Sequence, residues 1–288
     1  MDNFNWKEFY ERCDQFIRNW QSNPSAIALD SVYIRKTGGE SSPLYKSKKC
    51  EYYKYMPEPF VGNPEDCLAV MLNLNPGYPM PEFHYDCEYA KSIVENGYSN
   101  ESKQKGYEIF KVGENGGVKW WMTREQWLNR VTEGEHVSLN LKPFAIDICP
   151  WHSKSWGGLN YENELVEEIK KNVLAPAFMA VKNSRLPFAI AIGKDYYDVL
   201  NGNKYLGFTQ KECVVAGCYN KQAEDLRVIK WPKNKNKKPV NKAFAIFEND
   251  NKDRILCIWC PDGGSNQPPQ SGFDELVQNF VQKYKNNI

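Results

Sequence analysis

The sequence carries almost no net charge. Its 37 lysine and arginine residues nearly balance 36 aspartate and glutamate residues, which leaves a formal charge of +1. This balance excludes a basic coat over the whole surface, which would attract the protein to nucleic acid. A local basic groove remains open, because net charge does not report where the charges lie.

Long apolar runs are also absent. No stretch approaches the ~20 apolar residues that a transmembrane helix needs. Residues 1–16 mix acidic and aromatic side chains, unlike the apolar core of a signal peptide. We therefore expect no membrane partner and a cytoplasmic location. In that compartment the nine cysteines are expected to be mostly reduced thiols.

The sequence is poor in histidine and lacks the motifs that hold metals or nucleotides. Its three histidines are His84, His136 and His152. None of them lies at a spacing typical of a zinc finger or a catalytic triad. Residues 257–260 have the spacing of a metal knuckle, but they are predicted to form a strand, in which residues three apart face opposite sides. The glycine-rich segment 113–117 lacks the Lys-Ser/Thr ending of a phosphate loop. We expect neither a metal nor a cofactor.

Hydrophobic periodicity divides the chain into two regions. Residues 5–20 space aromatic side chains at helical intervals, and the polar segment 38–56, rich in Lys and Tyr, is typical of a connecting arm. We predict an N-terminal helix and arm over 1–60, packed on the core of one α/β domain. That domain spans 61–288 and has an insertion near 80–135.

Short apolar runs alternate with loops and helices over most of the domain. The predicted strands lie at 67–74, 144–149, 188–192, 244–247 and 255–260, and helices are predicted at 161–173, after 194 and at 273–284. Such alternation is typical of a parallel sheet covered by helices on both faces. The predicted fold class is a three-layer α/β/α architecture with a central, mainly parallel sheet.

Turn residues follow directly after three of these strands, in the segments 73–77, 147–151 and 260–266. The carboxyl ends of parallel strands meet at one edge of a sheet, where ligands bind in open α/β folds. The three segments, called the first, second and last loops below, are therefore expected to converge on one pocket.

The order and spacing of these loops resemble the uracil-DNA glycosylase superfamily, most closely its mismatch-specific and single-strand-selective branches. The resemblance covers about residues 60–284. Asn75-Pro76-Gly77 matches the family's turn after the first strand. Cys149-Pro150 matches the element after the second strand, and Ile192-Gly193-Lys194 matches the Gly-Lys ending of the third.

Three positions depart from the family pattern. Asn73 replaces the glycine that opens the first motif, Asp147 stands where the second has Asn, and Cys260 stands where the last has a catalytic His. A thiol is a poor hydrogen-bond donor. The backbone amides of the last loop are a substitute, because glycines allow close approach to a ligand.

The resemblance implies a monofunctional DNA base glycosylase of DNA repair. Such an enzyme hydrolyses the N-glycosidic bond of a base flipped out of single- or double-stranded DNA, without a cofactor. The alternative is a catalytically inactive glycosylase-fold protein that binds nucleic acid or a nucleotide. An unrelated α/β enzyme or a protein-interaction domain is a third reading, and the sequence identifies no protein partner.

The resemblance also implies roles for individual residues. Asn75 would position the attacking water. The residues expected to bind the base are Asp147, Tyr78, Phe83, Gly263, Gly264, Ser265 and Asn266. For either aromatic ring the alternative is ordinary packing, and for Asn75 it is a turn-forming role.

An ionised Asp147 offers only hydrogen-bond acceptors, so it would favour an amino-bearing base such as a cytosine derivative over uracil. The alternative is that Asp147 points away from the pocket. The expected DNA contacts are Lys194, His152, Lys233, Lys235, Lys237 and Lys238. His152 is equally consistent with a surface or capping role, and the basic loop 230–242 with a solvated connector.

Overall fold

The computed structural model describes residues 4–106, 116–132, 142–154, 158–159, 161–202, 206–219, 222–225, 240–260 and 274–285. Its helices are α1 (Trp6–Ser22), α2 (Pro24–Asp30), α3 (Val32–Lys36), α4 (Glu88–Asn96), α5 (Tyr98–Lys105), α6 (Gly116–Val131), α7 (Asn163–Ile169), α8 (Ala175–Asn183), α9 (Lys194–Gly202) and α10 (Asp274–Lys285). Its strands are β1 (Phe60–Val61), β2 (Val70–Asn73), β3 (Phe144–Asp147), β4 (Ala189–Ile192), β5 (Thr209–Tyr219), β6 (Gln222–Asp225), β7 (Val240–Glu248) and β8 (Arg254–Trp259).

The N-terminal helix forms where the aromatic spacing predicts it. Asn5 caps α1, because its side chain accepts hydrogen bonds from two backbone amides of the first turn. Phe9, Ile17 and Trp20 line the buried face of the helix and belong to the same hydrophobic cluster as the strands. Helix α1 is therefore packed against the same core as the sheet. The arm 38–56 contains two 3₁₀ turns, Gly39–Ser41 and Tyr52–Lys54, and no strand.

The fold is α/β, with a mixed sheet at its centre. Within the described residues the sheet has eight strands in the order β1-β3-β2-β4-β8-β7-β5-β6. The four strands β3, β2, β4 and β8 are parallel to one another, and every other pairing is antiparallel. The parallel strands β2, β3 and β4 are buried along their whole length, which explains their continuous apolar sequences.

Helices cover both faces of the sheet. Phe244 and Phe247 on β7 point to opposite faces, because side chains alternate along a strand. Trp127 of α6 packs edge-on against Phe244 at a ring distance of 5.9 Å. On the other face, Tyr197 of α9 stacks at 3.9 Å on Trp259 and lies 5.8 Å from Phe247. The sheet therefore lies between two helical layers.

Two features of the fold differ from the sequence-based expectation. The antiparallel strands β5 and β6 extend the sheet where no strand was predicted. The helix predicted over 161–173 begins at Asn163 and continues past its predicted end through a π turn, Lys170–Leu174, into α8. Pro176 near the start of α8 has no N–H to donate, which fits an altered hydrogen-bond ladder there. No helix in the described ranges is long and apolar enough to span a membrane.

Candidate functional site

The first and second loops lie side by side at the carboxyl edge of the sheet. Asn73 at the end of β2 is in register with Asp147 at the end of β3. Beyond the strands, the amides of Ile148 and Cys149 donate to the carbonyl oxygens of Asn73 and Leu74 at 2.8 and 3.0 Å. The ends of β4 and β8 are adjacent too, since the amide of Gly193 donates to Ile258. The first and second loops therefore lie together at one edge of the sheet, as predicted, while the last loop beyond Cys260 lies outside the described residues.

Asn75 is held between the two loops by its amide nitrogen. Nδ2 donates to the hydroxyl of Ser153 at 2.8 Å and to the carbonyl oxygen of Trp151 at 3.3 Å. No residue in the described ranges donates a hydrogen bond to Oδ1 of Asn75. The backbone amide of Ser153 closes the link by donating to Gly77, whose φ of 82° suits a residue without a Cβ. Asn75 is therefore oriented, and its acceptor atom is left for another group.

Asp147 is a buried carboxyl group, 7% exposed, beside the buried side chain of Asn73. Burial raises its pKa well above the ordinary range, while the charge of Arg124 and a hydrogen bond from Asn73 act in the opposite direction. Its Oδ1 atom has no hydrogen-bond partner in the described part of the chain. A carboxyl group that keeps its proton offers one donor and one acceptor, as an Asn side chain does. The acceptor-only Asp147 assumed from the sequence is therefore not the form that burial favours.

Glu58 is a second buried acid next to this edge, and sequence patterns did not single it out. Burial and then the charge of Asp147 raise its pKa well above the ordinary value. Its backbone amide donates to Pro150 of the second loop at 2.9 Å. The only sequence feature that pointed to its burial was its position between two prolines, in the apolar segment 56–62. Arg124, buried on α6, was also missed, because nothing in its local sequence distinguishes it from a surface arginine.

His152 is buried, and the expectation that it contacts DNA is wrong. It is 1% exposed, with Nδ1 3.2 Å from the carbonyl oxygen of Gly77 and Nε2 3.0 Å from that of Met56. Burial lowers its pKa to about 4, against the effect of both carbonyl groups. The Glu58 carboxyl lies 3.3 Å from Nε2. His152 thus ties the connecting arm to the first loop from within.

The two aromatic candidates have different environments. Tyr78 is 62% exposed at the end of the first loop, where its ring meets Tyr52 edge-on. Phe83 is fully buried and stacks on Tyr89 with nearly parallel rings. Because no part of its face is accessible, Phe83 packs in the core and does not stack on a base, contrary to the expectation. Tyr78 alone of the two presents a ring to solvent.

Most of the other residues predicted to contact base or DNA lie outside the described part of the chain. Lys194 is exposed at the start of α9 and pairs with Asp198 at 2.5 Å. Cys260 is buried. The loop positions Gly263, Gly264, Ser265 and Asn266 lie outside the described residues, as do Lys233, Lys235, Lys237 and Lys238. Among the described side chains, no group of three His, Cys, Asp or Glu residues is arranged to hold a metal ion.

A cavity of about 420 Å³ adjoins the second loop, between α1, α3 and α7. Its volume lies in the range typical of small-molecule sites. The polar and aromatic residues that line it include Arg12, Phe16, Arg35, Asp147, Trp151 and Glu168. Asn75 and Tyr78 are not part of its wall. Of the predicted base-binding residues in the described ranges, Asp147 alone lines this cavity.

A scan against protein-family models finds no match to this sequence. Searches of curated proteins and of solved structures find no significant match either. The function proposed below is therefore argued from the residues of the chain and their geometry.

Proposed function

We propose that this chain is a monofunctional DNA base glycosylase with a uracil-DNA glycosylase-like fold. Its partner is single- or double-stranded DNA, and its setting is DNA repair in the cytoplasm. The observation that carries the proposal is the position of Asn75 and Asp147 at the same sheet edge. Asn75 is fixed through Nδ2, and Asp147 is buried with no described residue hydrogen-bonded to its Oδ1.

Hydrolysis needs a water held close to the sugar. The water oxygen attacks the anomeric carbon, the bond from that carbon to the base nitrogen breaks, and the bonding electrons leave with the base. The proton that the water loses passes through solvent to the base anion, so the products are the free base and an abasic sugar. Asn75 Oδ1 accepts a hydrogen bond from the water and so aligns its lone pair. Fixing Nδ2 to the second loop removes the rotational freedom of the amide, so the alignment costs little entropy at the moment of reaction.

The departing base carries negative charge and requires a hydrogen-bond donor. Donors preorganised in a desolvated site are usually the largest contribution to catalysis. A protonated Asp147 supplies an O–H to the base, and its other oxygen accepts from a base N–H. Asp147 thereby offers the hydrogen-bonding pattern of the amide that it replaces, and it compensates in part for the thiol of Cys260 at the position of the family's catalytic His.

The test is base release from oligonucleotides that carry a panel of damaged and modified bases, in single- and double-stranded form. The wild-type chain is expected to release at least one free base and to leave an abasic site that alkali cleaves. Asp195→Asn, on the surface of α9, is a matched control for changes in the acidic residues of the site. If the protein binds these oligonucleotides but releases no base of the panel, the proposed activity is contradicted and only DNA binding is supported.

The alternative is an inactive protein of the same fold that binds a nucleotide. It is favoured by the cavity next to the second loop, which offers Arg12 for phosphate and Phe16 for a base, yet is not lined by Asn75. Arg35, also in its wall, is paired with Glu164 at 2.5 Å. Nucleotide binding measured by calorimetry, abolished by Arg12→Gln in a chain that releases no base, would favour this alternative. Base release abolished by Asn75→Ala would exclude it.

A further inference from the structure

The connecting arm carries an ordered basic turn over residues 46–50. The amide of Ser47 donates to Cys50 at 2.7 Å, and the amide of Cys50 donates back to Ser47 at 3.4 Å. The rings of Tyr45 and Tyr53, which flank the turn, stack at 4.3 Å. The amide of Tyr53 also donates to the carbonyl oxygen of Tyr45 at 3.1 Å. These contacts close both ends of the segment, so the turn presents its side chains from a rigid base.

Three lysines project from this turn into solvent. Lys46, Lys48 and Lys49 are all exposed, and none forms an ion pair with any residue in the described part of the chain. The nearest acid in sequence, Glu51, is bound to Lys54 at 2.7 Å and to the hydroxyl of Tyr53. In a chain whose charges nearly cancel overall, this turn is a local excess of positive charge.

The turn lies directly beside the proposed site. Cys50 is the residue after Lys49; burial raises the pKa of its thiol, and the nearby side chains of Tyr78 and Tyr55 lower it. Tyr52 meets the ring of Tyr78 edge-on at 6.3 Å. Tyr78 follows the Asn75-Pro76-Gly77 turn and is the one large hydrophobic side chain that is exposed among the described residues. The ring of Tyr78 and a turn that bears three exposed lysines therefore lie close together beside the first loop, with the ammonium group of Lys46 5.8 Å over the ring of Tyr45.

We propose that the turn over 46–50 and Tyr78 form a platform that binds single-stranded DNA beside the site. Lys46, Lys48 and Lys49 contact successive phosphates, and the ring of Tyr78 stacks on a base next to the one that enters the site. Aromatic rings interleaved with a basic track are the general means of holding a single strand without reading its sequence. The inference rests on the proposed function, which supplies the reason for DNA to lie at this edge.

The test measures binding of a fluorescein-labelled single-stranded oligonucleotide without modified bases, between about 50 and 200 mM salt. The triple variant K46Q/K48Q/K49Q is expected to flatten the slope of log K against log salt by about 2, since each phosphate contact contributes about 0.7. Tyr78→Ala is expected to weaken binding about 5- to 100-fold with little change of slope, and Tyr78→Phe to retain affinity. The matched control is K170Q/K171Q/K182Q, which removes the same charge from the segment 170–182 and should leave the slope unchanged.

Two results would overturn the platform: no binding by the wild-type chain, or equal slopes for the 46–50 triple variant and the wild type. Vesicles containing phosphatidylserine form a second arm. Lysine-dependent binding to vesicles, with DNA binding unaffected by the triple variant, would assign the turn to an anionic membrane instead. The platform and the activity fail separately. If the triple variant flattens the slope and the wild-type chain releases no base, the platform is supported and the glycosylase activity is not. If the wild-type chain releases a base and the slope of the triple variant is unchanged, the activity is supported and the platform is not.

Discussion

Replacing Asp147 with Asn tests whether the buried carboxyl group at the sheet edge is neutral. In the folded chain the raised pKa of Asp147 retains a proton that the unfolded chain releases above about pH 4. The pH-dependent part of the cost of its burial is therefore absent below about pH 4. Above that, it lowers the free energy of unfolding by up to about 1.4 kcal/mol per pH unit, until the folded carboxyl ionises. Asn has the same shape and does not titrate, so Asp147→Asn removes this loss.

The expected difference between the variant and the wild type grows with pH. Over two pH units the gain in the free energy of unfolding reaches at most about 3 kcal/mol. The raised pKa of Glu58 also lowers the free energy of unfolding as the pH rises. Because both proteins contain Glu58, this contribution largely cancels in the difference between them.

The assay is urea unfolding of both proteins at several pH values between about 5 and 9. Asp250→Asn, at an exposed turn, is the control for the loss of one carboxylate. The opposite state is an ionised Asp147 paired with Arg124. In that case Asp147→Asn would leave a buried guanidinium without its counter-charge and destabilise the protein by about 3–5 kcal/mol at neutral pH. A destabilised variant at neutral pH would therefore refute the neutral carboxyl.

Three further predictions follow from burial and charge. Burial lowers the pKa of His152 to about 4, so as the pH falls from 6.5 to 4 the unfolded wild-type chain takes up a proton that the folded chain does not. This costs the wild type up to about 3 kcal/mol of unfolding free energy, and His152→Gln should not show that loss in acid denaturation. Trp127→Ala empties a buried site against Phe244 and should cost about 3–5 kcal/mol in urea unfolding; a cost below about 1 kcal/mol would contradict the packing. In competition between single strands carrying uracil and a modified cytosine, preference for the amino-bearing base should rise with pH, because ionised Asp147 only accepts hydrogen bonds. The preference should not vary with pH in Asp147→Asn, and efficient uracil release at every pH, unaffected by that change, would contradict the role of Asp147.

The parallel centre of the sheet was predictable because burial on both faces leaves an uninterrupted apolar sequence. β2, β3 and β4 show such runs, and each ends in residues that favour a turn. β5 was not predictable in this way, since polar residues such as Gln210, Lys211 and Glu212 open the strand and its pairing is set by β7. Local sequence therefore reveals strands that are buried on both faces more readily than strands whose pairing depends on distant partners.

The candidate site was predictable only where its chemistry is local. Asn75 could be identified because the turn and the strand before it are consecutive in sequence. Glu58 and Arg124 approach Asp147 only through the packing of the arm and α6 on the sheet. For the same reason His152 and Phe83 were misjudged: each stands near a loop in sequence, and its burial depends on segments remote in the chain.

The most direct measurement is the single-turnover rate of base release by Asn75→Ala, on whichever base of the panel the wild-type chain releases. We expect a rate about 10²- to 10³-fold lower, the usual loss for one positioning or stabilising group, with unchanged oligonucleotide binding and unfolding. Ser153→Ala removes the acceptor of one hydrogen bond from Asn75 Nδ2 but leaves Asn75 Oδ1 in place, so the rate should fall much less in this variant. Asn19→Ala, on the exposed face of α1, controls for the substitution itself. A fully active Asn75→Ala protein would contradict the mechanism, and base release by no form of the chain would contradict the activity.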